Sequence, residues 1–181
     1  MSKLLVPISN GFEEIEAISI IDICRRANID VVIAAVEDIV TTGAHNIKIT
    51  ADCKIENVEE DDFDMIALPG GLPNAFTLAE NKYVQDILKE FKASDKYIAA
   101  ICAAPYALHK AEVLNKNYTC YPSFEQKIDP DNYIADQNVV LDDKIITSRG
   151  PATAAEFALE IVKLLKGDEI YEELKEDLLL K

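Results

Sequence analysis

Cys102 occupies the place in this sequence where a nucleophile is most easily built. It directly follows Tyr97–Ile101, a run predicted to be a buried strand, and a helix is predicted over Ala104–Ala111. Free N–H groups and the dipole at a helix N-terminus stabilise a thiolate. So sharp a turn needs small neighbours, and four alanines surround it: Ala99, Ala100, Ala103 and Ala104. The pattern favours a reactive thiol at a strand-to-helix elbow, with an inert core cysteine as the alternative.

Glu14 is the predicted partner of this thiol. It follows the first predicted strand, Lys3–Ile8, by a short loop, and it lies in the first turn of a helix predicted over Phe12–Ala27. Because the carboxyl ends of parallel strands meet at one edge of a sheet, Glu14 is expected beside Cys102. Repulsion and desolvation would keep its carboxyl protonated, so that it can shuttle a proton. The alternative is a plain helix N-terminal charge, which is the role predicted for Glu13.

Two more loops are predicted at the same edge. Gly70 and Gly71 follow the buried strand Asp64–Leu68, and they either form a tight turn or present bare amides to the site. In the second case the N–H groups of Gly71 and Ala103 would bind a developing oxyanion. Arg149 follows the strands predicted over Val139–Ser148. It either belongs to the connection between the last strand and the cap of the next helix, or it lines the pocket.

The other segments alternate between strands and helices, which predicts one α/β domain over residues 1–181. Its sheet would be mostly parallel and covered by helices on both faces. Strands are predicted at Asp30–Ala35 and, as a short pair, over Val139–Ser148; Ile47–Ile55 is a half-exposed strand or hairpin arm and Glu56–Asp62 an acidic turn. Further helices are predicted over Val84–Phe91, Thr153–Leu165 and Glu169–Leu180.

Composition narrows the partners. With 18 basic and 33 acidic residues the net charge is −15, which disfavours a nucleic-acid duplex. No targeting or membrane-spanning stretch is visible, so we expect a cytoplasmic protein without a membrane partner. The four cysteines form no C-x-x-C pair, so neither a structural metal nor a disulfide framework is expected.

The first helix predicts a homodimer. Between Ala17 and Cys24 only Ser19 and Asp22 are polar, so more than one side of this helix needs a cover. A second copy of the chain is the favoured cover, and burial under the C-terminal helix is the alternative.

The sequence resembles the ThiJ/PfpI superfamily over essentially its whole length, and within it the glyoxalase- and deglycase-like branch of the parkinsonism-associated protein. Five motifs carry the resemblance: Glu13-Glu14, Asp22 with Arg25–Ala27, Leu68–Gly71, Ala99–Pro105 and Thr147–Thr153. It implies a flavodoxin-like three-layer sandwich, a homodimer and no cofactor. It also implies that Cys102 is the oxidation-prone cysteine and Glu14 its protonated partner, with the amides of Gly71 and Ala103 around the sulfur.

Two departures from the family patterns matter. The branch often carries a histidine where this chain has Tyr121, before Pro122, and a tyrosine with its higher pKa moves protons less well near neutrality. Asp22, the expected neighbour of that position, is retained. The superfamily's peptidases place a histidine directly after the nucleophile, and here that residue is Ala103.

The resulting hypothesis is a glyoxalase or deglycase that acts on methylglyoxal, glyoxal or their adducts. Cys102 would form a hemithioacetal and Glu14 would move the proton. The alternative is an oxidative-stress sensor or redox chaperone that works through oxidation of Cys102. A thiol peptidase ranks last, because neither His45 nor His109 is placed as a base.

Overall fold

The computed structural model describes residues 2–180 and is built around a mostly parallel β-sheet. Seven strands form this sheet in the order β5-β2-β1-β6-β7-β9-β8, and every neighbouring pair is parallel except β8 with β9. Their bounds are β1 Lys3–Ile8, β2 Asp30–Ala35, β5 Cys53–Lys54, β6 Met65–Leu68, β7 Tyr97–Ile101, β8 Val139–Asp142 and β9 Ile145–Ser148. The predicted sheet is thereby confirmed. The strands β3 (Val40–Thr42) and β4 (Lys48–Thr50) form a separate antiparallel hairpin.

Six helices cover the two faces of the sheet. They are α1 Glu14–Arg26, α2 Asn74–Glu80, α3 Lys82–Ala93, α4 Pro105–Lys110, α5 Ala154–Lys166 and α6 Asp168–Asp177. One core lies under α1 and α5, and the other lies under α2, α3 and α4. Successive residues of a strand point to opposite faces of the sheet, so Leu4 packs in one core and Leu5 packs in the other. The α/β sandwich expected from the sequence is therefore present.

The helix starts follow from local capping. Helix α1 begins at Glu14, two residues later than predicted, because the side chain of Glu13 accepts a hydrogen bond from the N–H of Glu16 and caps the helix. Asn81 caps α3 in the same way through the N–H of Val84. Pro105 opens α4, where its missing N–H costs nothing.

Helix α2 differs from the sequence expectation: it is absent from the predicted elements, because its seven residues are too few for a clear period. Within the segment predicted as a half-exposed strand or hairpin arm, Lys48–Thr50 forms one arm of the β3–β4 hairpin. The predicted acidic turn is a pair of 3-10 turns, Ile55–Asn57 and Glu60–Asp62. No helix within residues 2–180 is long and apolar enough to cross a membrane.

Candidate active site

Cys102 lies at the tip of a strained turn between β7 and α4. Its φ of 64° is in the left-handed region, which costs a non-glycine residue about 1–2 kcal/mol. Neighbouring segments hold both of its backbone groups: its N–H donates to the carbonyl of Ser148 at 2.9 Å, and its carbonyl accepts from the N–H of Tyr121 at 2.8 Å. The thiol is almost wholly enclosed, since Cys102 is only 8% exposed.

The carboxyl group beside this thiol belongs to Glu16. Its Oε2 atom accepts a 2.7 Å hydrogen bond from the N–H of Gly70, and its Oε1 atom is buried without a hydrogen-bond partner in the described chain. Burial raises the pKa of Glu16 to about 7, although the Gly70 N–H and the Cys102 thiol act against that rise. Glu16 is therefore a buried carboxyl that changes protonation near neutral pH, as a general acid or base must.

The expected position of Glu14 beside Cys102 has to be corrected. Residues 14 and 16 are separated by about 200° around a helix, so their side chains leave α1 on opposite sides. Glu14 turns to the hairpin, where its oxygens accept hydrogen bonds from the backbone N–H of His45 at 2.6 Å, the Nδ1 of His45 at 2.9 Å and the N–H of Ile47 at 3.3 Å. Burial raises the pKa of Glu14, but these hydrogen bonds outweigh it and the net pKa is lowered. Glu14 is thus held as a carboxylate.

The thiol itself also differs from the expected low-pKa group. Burial raises the pKa of Cys102, and negative charge on Glu16 raises it further, whereas the backbone N–H groups of Gly71 and Ala103 lower it. The sulfur and the Glu16 carboxyl therefore compete for protons as one coupled pair. A thiolate is favoured only while Glu16 is protonated, because the repulsion between the two groups is then absent.

The glycine loop after β6 brings its amides to the sulfur. Gly71 has a φ of 87°, and a Cβ there would lie 2.3 Å from the carbonyl oxygen of Gly11, so no larger residue fits. Asn74, which is fully buried, holds this loop by donating to the carbonyls of Pro69 and Gly70, both at 2.9 Å. Asn74 is not among the residues expected from the sequence, because an isolated polar residue in a short helix carries no recognisable pattern.

The other expected site residues separate into two groups. Tyr121 lies at the mouth of the site and lines, with Cys102, a cavity of about 340 Å³ whose other walls are Ala44, Gly71, Leu72, Ala103 and Phe124. Arg149 lines a different cavity, which Tyr121 also lines. Asp22 is exposed on α1, where it pairs with Arg26 at 2.8 Å. Its supporting role stays a prediction.

One cluster near the site has the spacing of metal ligands. Ligand atoms of Glu13, Glu14 and His45 lie within 4.8 Å of one another. Both oxygens of Glu14 already accept hydrogen bonds, and Oε2 of Glu13 accepts the N–H of Glu16. These carboxylates therefore have hydrogen-bond partners in the chain itself: Glu13 caps α1, and Glu14 contacts the β3–β4 hairpin.

The chain that carries this elbow cysteine, buried carboxyl and glycine loop matches a known protein family in sequence. The DJ-1/PfpI family model matches residues 2–164. The chain belongs to the DJ-1/PfpI family. Protein dj-1beta of Drosophila melanogaster is 40% identical over 184 residues, which cover 99% of this chain and 98% of that protein. The crystal structure of the Drosophila protein superposes on this DJ-1/PfpI chain with a TM-score of 0.95, covering all of both chains at 39% identity.

Two other relatives have informative names. A Caenorhabditis elegans protein named glutathione-independent glyoxalase DJR-1.2 is 36% identical over 169 residues, covering 93% of this chain and 90% of the relative. A solved structure described as Toxoplasma gondii DJ-1, oxidized, has a TM-score of 0.94 at 38% identity and covers 99% of this chain and 98% of its own. Against protein DJ-1 homolog B of Arabidopsis thaliana, which is 39% identical over 170 residues, the match covers 92% of this chain but only 39% of that longer protein.

Proposed function

We propose that this DJ-1/PfpI protein is a cofactor-independent glyoxalase or deglycase that acts on methylglyoxal, glyoxal or their adducts. The observation that carries the proposal is the pairing of the Cys102 thiol with the buried Glu16 carboxyl, whose pKa is raised to about 7. The name of the Caenorhabditis elegans relative supports the same class of substrate. Glu16 replaces Glu14 as the proton carrier in this proposal.

The chemistry starts with addition of the thiol to the aldehyde carbon of methylglyoxal. The sulfur forms a bond to that carbon, the thiol proton passes to Glu16, and the carbonyl oxygen becomes an alkoxide that the N–H groups of Gly71 and Ala103 stabilise. Return of the proton to this oxygen gives a hemithioacetal. The apolar walls of the cavity keep the small dicarbonyl close to the sulfur.

The next step moves hydrogen between the two former carbonyl carbons. Glu16 removes the proton from the sulfur-bearing carbon to give an enediolate, and the hydroxyl proton on that carbon's oxygen passes to the neighbouring oxygen. Glu16 then returns its proton to the neighbouring carbon, which gives a lactoyl thioester. Water then cleaves the thioester, releasing lactate and the Cys102 thiol. The sum of the steps is methylglyoxal plus water to lactate, so neither an oxidant nor a reductant is consumed.

The decisive experiment compares isosteric variants of the two glutamates. We expect Glu16→Gln to lower methylglyoxal turnover by about 10²–10⁴-fold, the usual contribution of general acid–base catalysis, while Glu14→Gln retains most activity. Cys102→Ala should abolish lactate formation, and Cys53→Ala should not. An inactive but folded wild-type protein would refute the proposed function, and loss of activity in Glu14→Gln alone would restore the assignment made from sequence.

A second candidate function, redox sensing by Cys102, has one observation of its own. The related Toxoplasma gondii structure is described as oxidized, and Cys102 has an opening to a cavity that the fully buried Cys24 lacks. Peroxide should therefore convert Cys102, and not Cys24, to a sulfinic acid, as peptide mass spectrometry would reveal. Equal oxidation of both cysteines would contradict the sensor role.

The exposed side of α1 supports a homodimer. Ile15 and Ile18 are 57% and 45% exposed, although they belong to a helix whose other apolar residues are buried in the core. Two large aliphatic side chains on adjacent turns form the kind of patch that a second copy of the chain would cover. We therefore infer that α1 contributes to a symmetric interface.

A further inference from the structure

A second cavity, of about 300 Å³, lies next to the one that contains Cys102. Tyr121 lines both cavities, so its ring stands between them. The walls of the second cavity also include Asn138, Gly150, Thr153 and one charged residue, Arg149. No carboxylate is found among the described residues that line it. The cavity wall is therefore positively charged, although the chain as a whole has a net charge of −15.

Arg149 has no carboxylate partner in the part of the chain that the structure describes. The other two arginines do: Arg25 lies 3.7 Å from Asp52, and Arg26 lies 2.8 Å from Asp22. The Nε atom of Arg149 is buried and has no hydrogen-bond acceptor within residues 2–180. A buried N–H group without an acceptor is costly, so this partly exposed arginine is suited to bind an anion.

The surroundings of Arg149 do not supply that anion. Its guanidinium group faces the phenol of Tyr133 and the thiol of Cys120. The nearest candidate is the carboxylate of Glu125, which acts on Cys120 and Tyr133 as Arg149 does and whose Oε2 is itself buried without a hydrogen-bond partner in the described residues. It forms no ion pair with Arg149 within the described residues and does not line the cavity. Neither a phenol nor a thiol satisfies a guanidinium as well as a carboxylate does, because a carboxylate accepts two parallel hydrogen bonds.

The sheet places Arg149 close to the nucleophile. Ile101 and Ser148 are paired in the neighbouring parallel strands β7 and β9, and Cys102 and Arg149 are the next residue of each. The N–H of Cys102 donates to the carbonyl of Ser148 at 2.9 Å, which fixes the two strand ends side by side. A molecule attached to the sulfur can therefore pass Tyr121 and extend toward the guanidinium group.

We propose that this second cavity is a subsite of the same active site and that Arg149 binds a carboxylate there. The inference rests on the proposed function, and it narrows the substrate class to carbonyl compounds or adducts that carry a carboxylate a few bonds from the carbon attacked by Cys102. The net charge of −15 repels anions from the protein as a whole. We therefore expect Arg149 to attract a carboxylate locally, within this subsite.

The test uses two maleimides, of which only one carries a carboxylate on its side chain. N-ethylmaleimide is neutral, and carboxyethyl maleimide carries a carboxylate; both add to a thiolate without an oxidant or leaving group. The ratio of their rates is measured by peptide mass spectrometry at Cys102 and at Cys53, which is partly exposed beside Asp52. The acidic reagent should be favoured at Cys102 by about tenfold relative to Cys53, as expected of one charge-assisted contact.

Three variants locate the effect. Arg149→Gln should bring the rate ratio at Cys102 to the value at Cys53, and Arg149→Lys should keep part of the preference. Lys127→Gln removes the same charge from an exposed position outside the cavity and should change nothing. Equal ratios at both cysteines in the wild type, or an unchanged ratio in a folded Arg149→Gln protein, would overturn the subsite.

The experiment also separates the subsite from the proposed function. Maleimide addition needs no dicarbonyl turnover, so a protein without glyoxalase activity still gives a rate ratio. Should Arg149→Gln fail to fold, the wild-type ratio remains decisive together with its salt dependence. Salt at about 0.5 M should reduce the preference at Cys102 if it comes from a partly solvated charge pair, and a preference that is insensitive to salt would contradict the role of Arg149.

Discussion

The backbone N–H of Gly70 donates a 2.7 Å hydrogen bond to the carboxyl group of Glu16. The same glycine lies against Cys102, because a Cβ at Gly70 would be 2.7 Å from the Cβ of Cys102 and 2.7 Å from Oε2 of Glu16. Gly70 therefore sets the distance between thiol and carboxyl, and the absence of a side chain there is what allows the two groups to approach each other.

Substitution of this glycine should disrupt catalysis more than folding. Gly70→Ala pushes the thiol and the carboxyl apart, and a misplacement of about 1 Å in a catalytic pair typically costs about a hundredfold in rate. Gly167→Ala is the control for strain: its φ of 90° disfavours an alanine although a Cβ there meets nothing within 4 Å, so it should lower thermal stability without lowering turnover. The measurement is methylglyoxal turnover beside thermal unfolding, and full activity in Gly70→Ala would show that the spacing does not matter.

The buried Glu16 should make stability depend on pH. Its folded pKa is raised to about 7, so between about pH 4.5 and 7 the folded state holds a proton that the unfolded state has lost. Rising pH therefore removes stability across this window, by about 3 kcal/mol in total. Denaturant unfolding at several pH values should show this loss in the wild type but not in Glu16→Gln.

Glu14→Gln should have the opposite effect on the same curve. Because the folded pKa of Glu14 is lowered, its carboxylate contributes stability that is present above its ordinary pKa and is lost as pH falls. The difference between wild type and Glu14→Gln should therefore shrink in acid. Parallel curves for both glutamine variants would contradict the different environments of the two glutamates.

His45 should report the Glu14 contact directly. The hydrogen bond and the charge of Glu14 raise the pKa of His45 above its ordinary value, with a smaller contribution from Glu13. In an NMR titration the His45 pKa should fall toward that value in Glu14→Gln and stay unchanged in Glu16→Gln. An equal change of the His45 pKa in both variants would contradict the contact between His45 and Glu14.

The homodimer can be tested at the exposed face of α1. Ile18→Glu places a charge in the inferred interface and should yield a monomer in sedimentation or light scattering. Tyr83→Glu is the control, because Tyr83 is exposed to a similar degree, 47%, on α3 at the opposite face of the sheet. A dimer that persists in Ile18→Glu but dissociates in Tyr83→Glu would place the interface elsewhere.

Three strands of the main sheet could be predicted residue by residue, whereas β3 and the division of Ile47–Ile55 into β4 and β5 could not, nor could the carboxyl partner of Cys102. Lys3–Ile8, Asp30–Ala35 and Tyr97–Ile101 are apolar runs between clear turn signals, so their bounds agree with the structure. The error at Glu14 came from placing a residue by its distance from a strand end, which gives the edge of the sheet but not the side of the helix.

The helix itself contained the missing signal. Glu16, Ile20 and Cys24 are spaced by four and are all fully buried, whereas Glu14 heads the row that continues through the exposed Ile18 and Asp22. A carboxyl at the head of the apolar row was the better candidate. The hydrogen bonds of Asn74 and the absence of an ion pair at Arg149 in the described residues depend on segments that meet only in the folded chain. No local sequence pattern predicts them.

The hydrogen bond from Cys102 to Ser148 also has a consequence for the order of synthesis. The nucleophile and its glutamate are both made in the first 102 residues, but the strand that anchors the elbow ends at residue 148. A nascent chain therefore carries Cys102 without its fixed turn until residue 148 has been made and β9 can form. The environment that the fold gives this thiol is complete only after that strand has been synthesised.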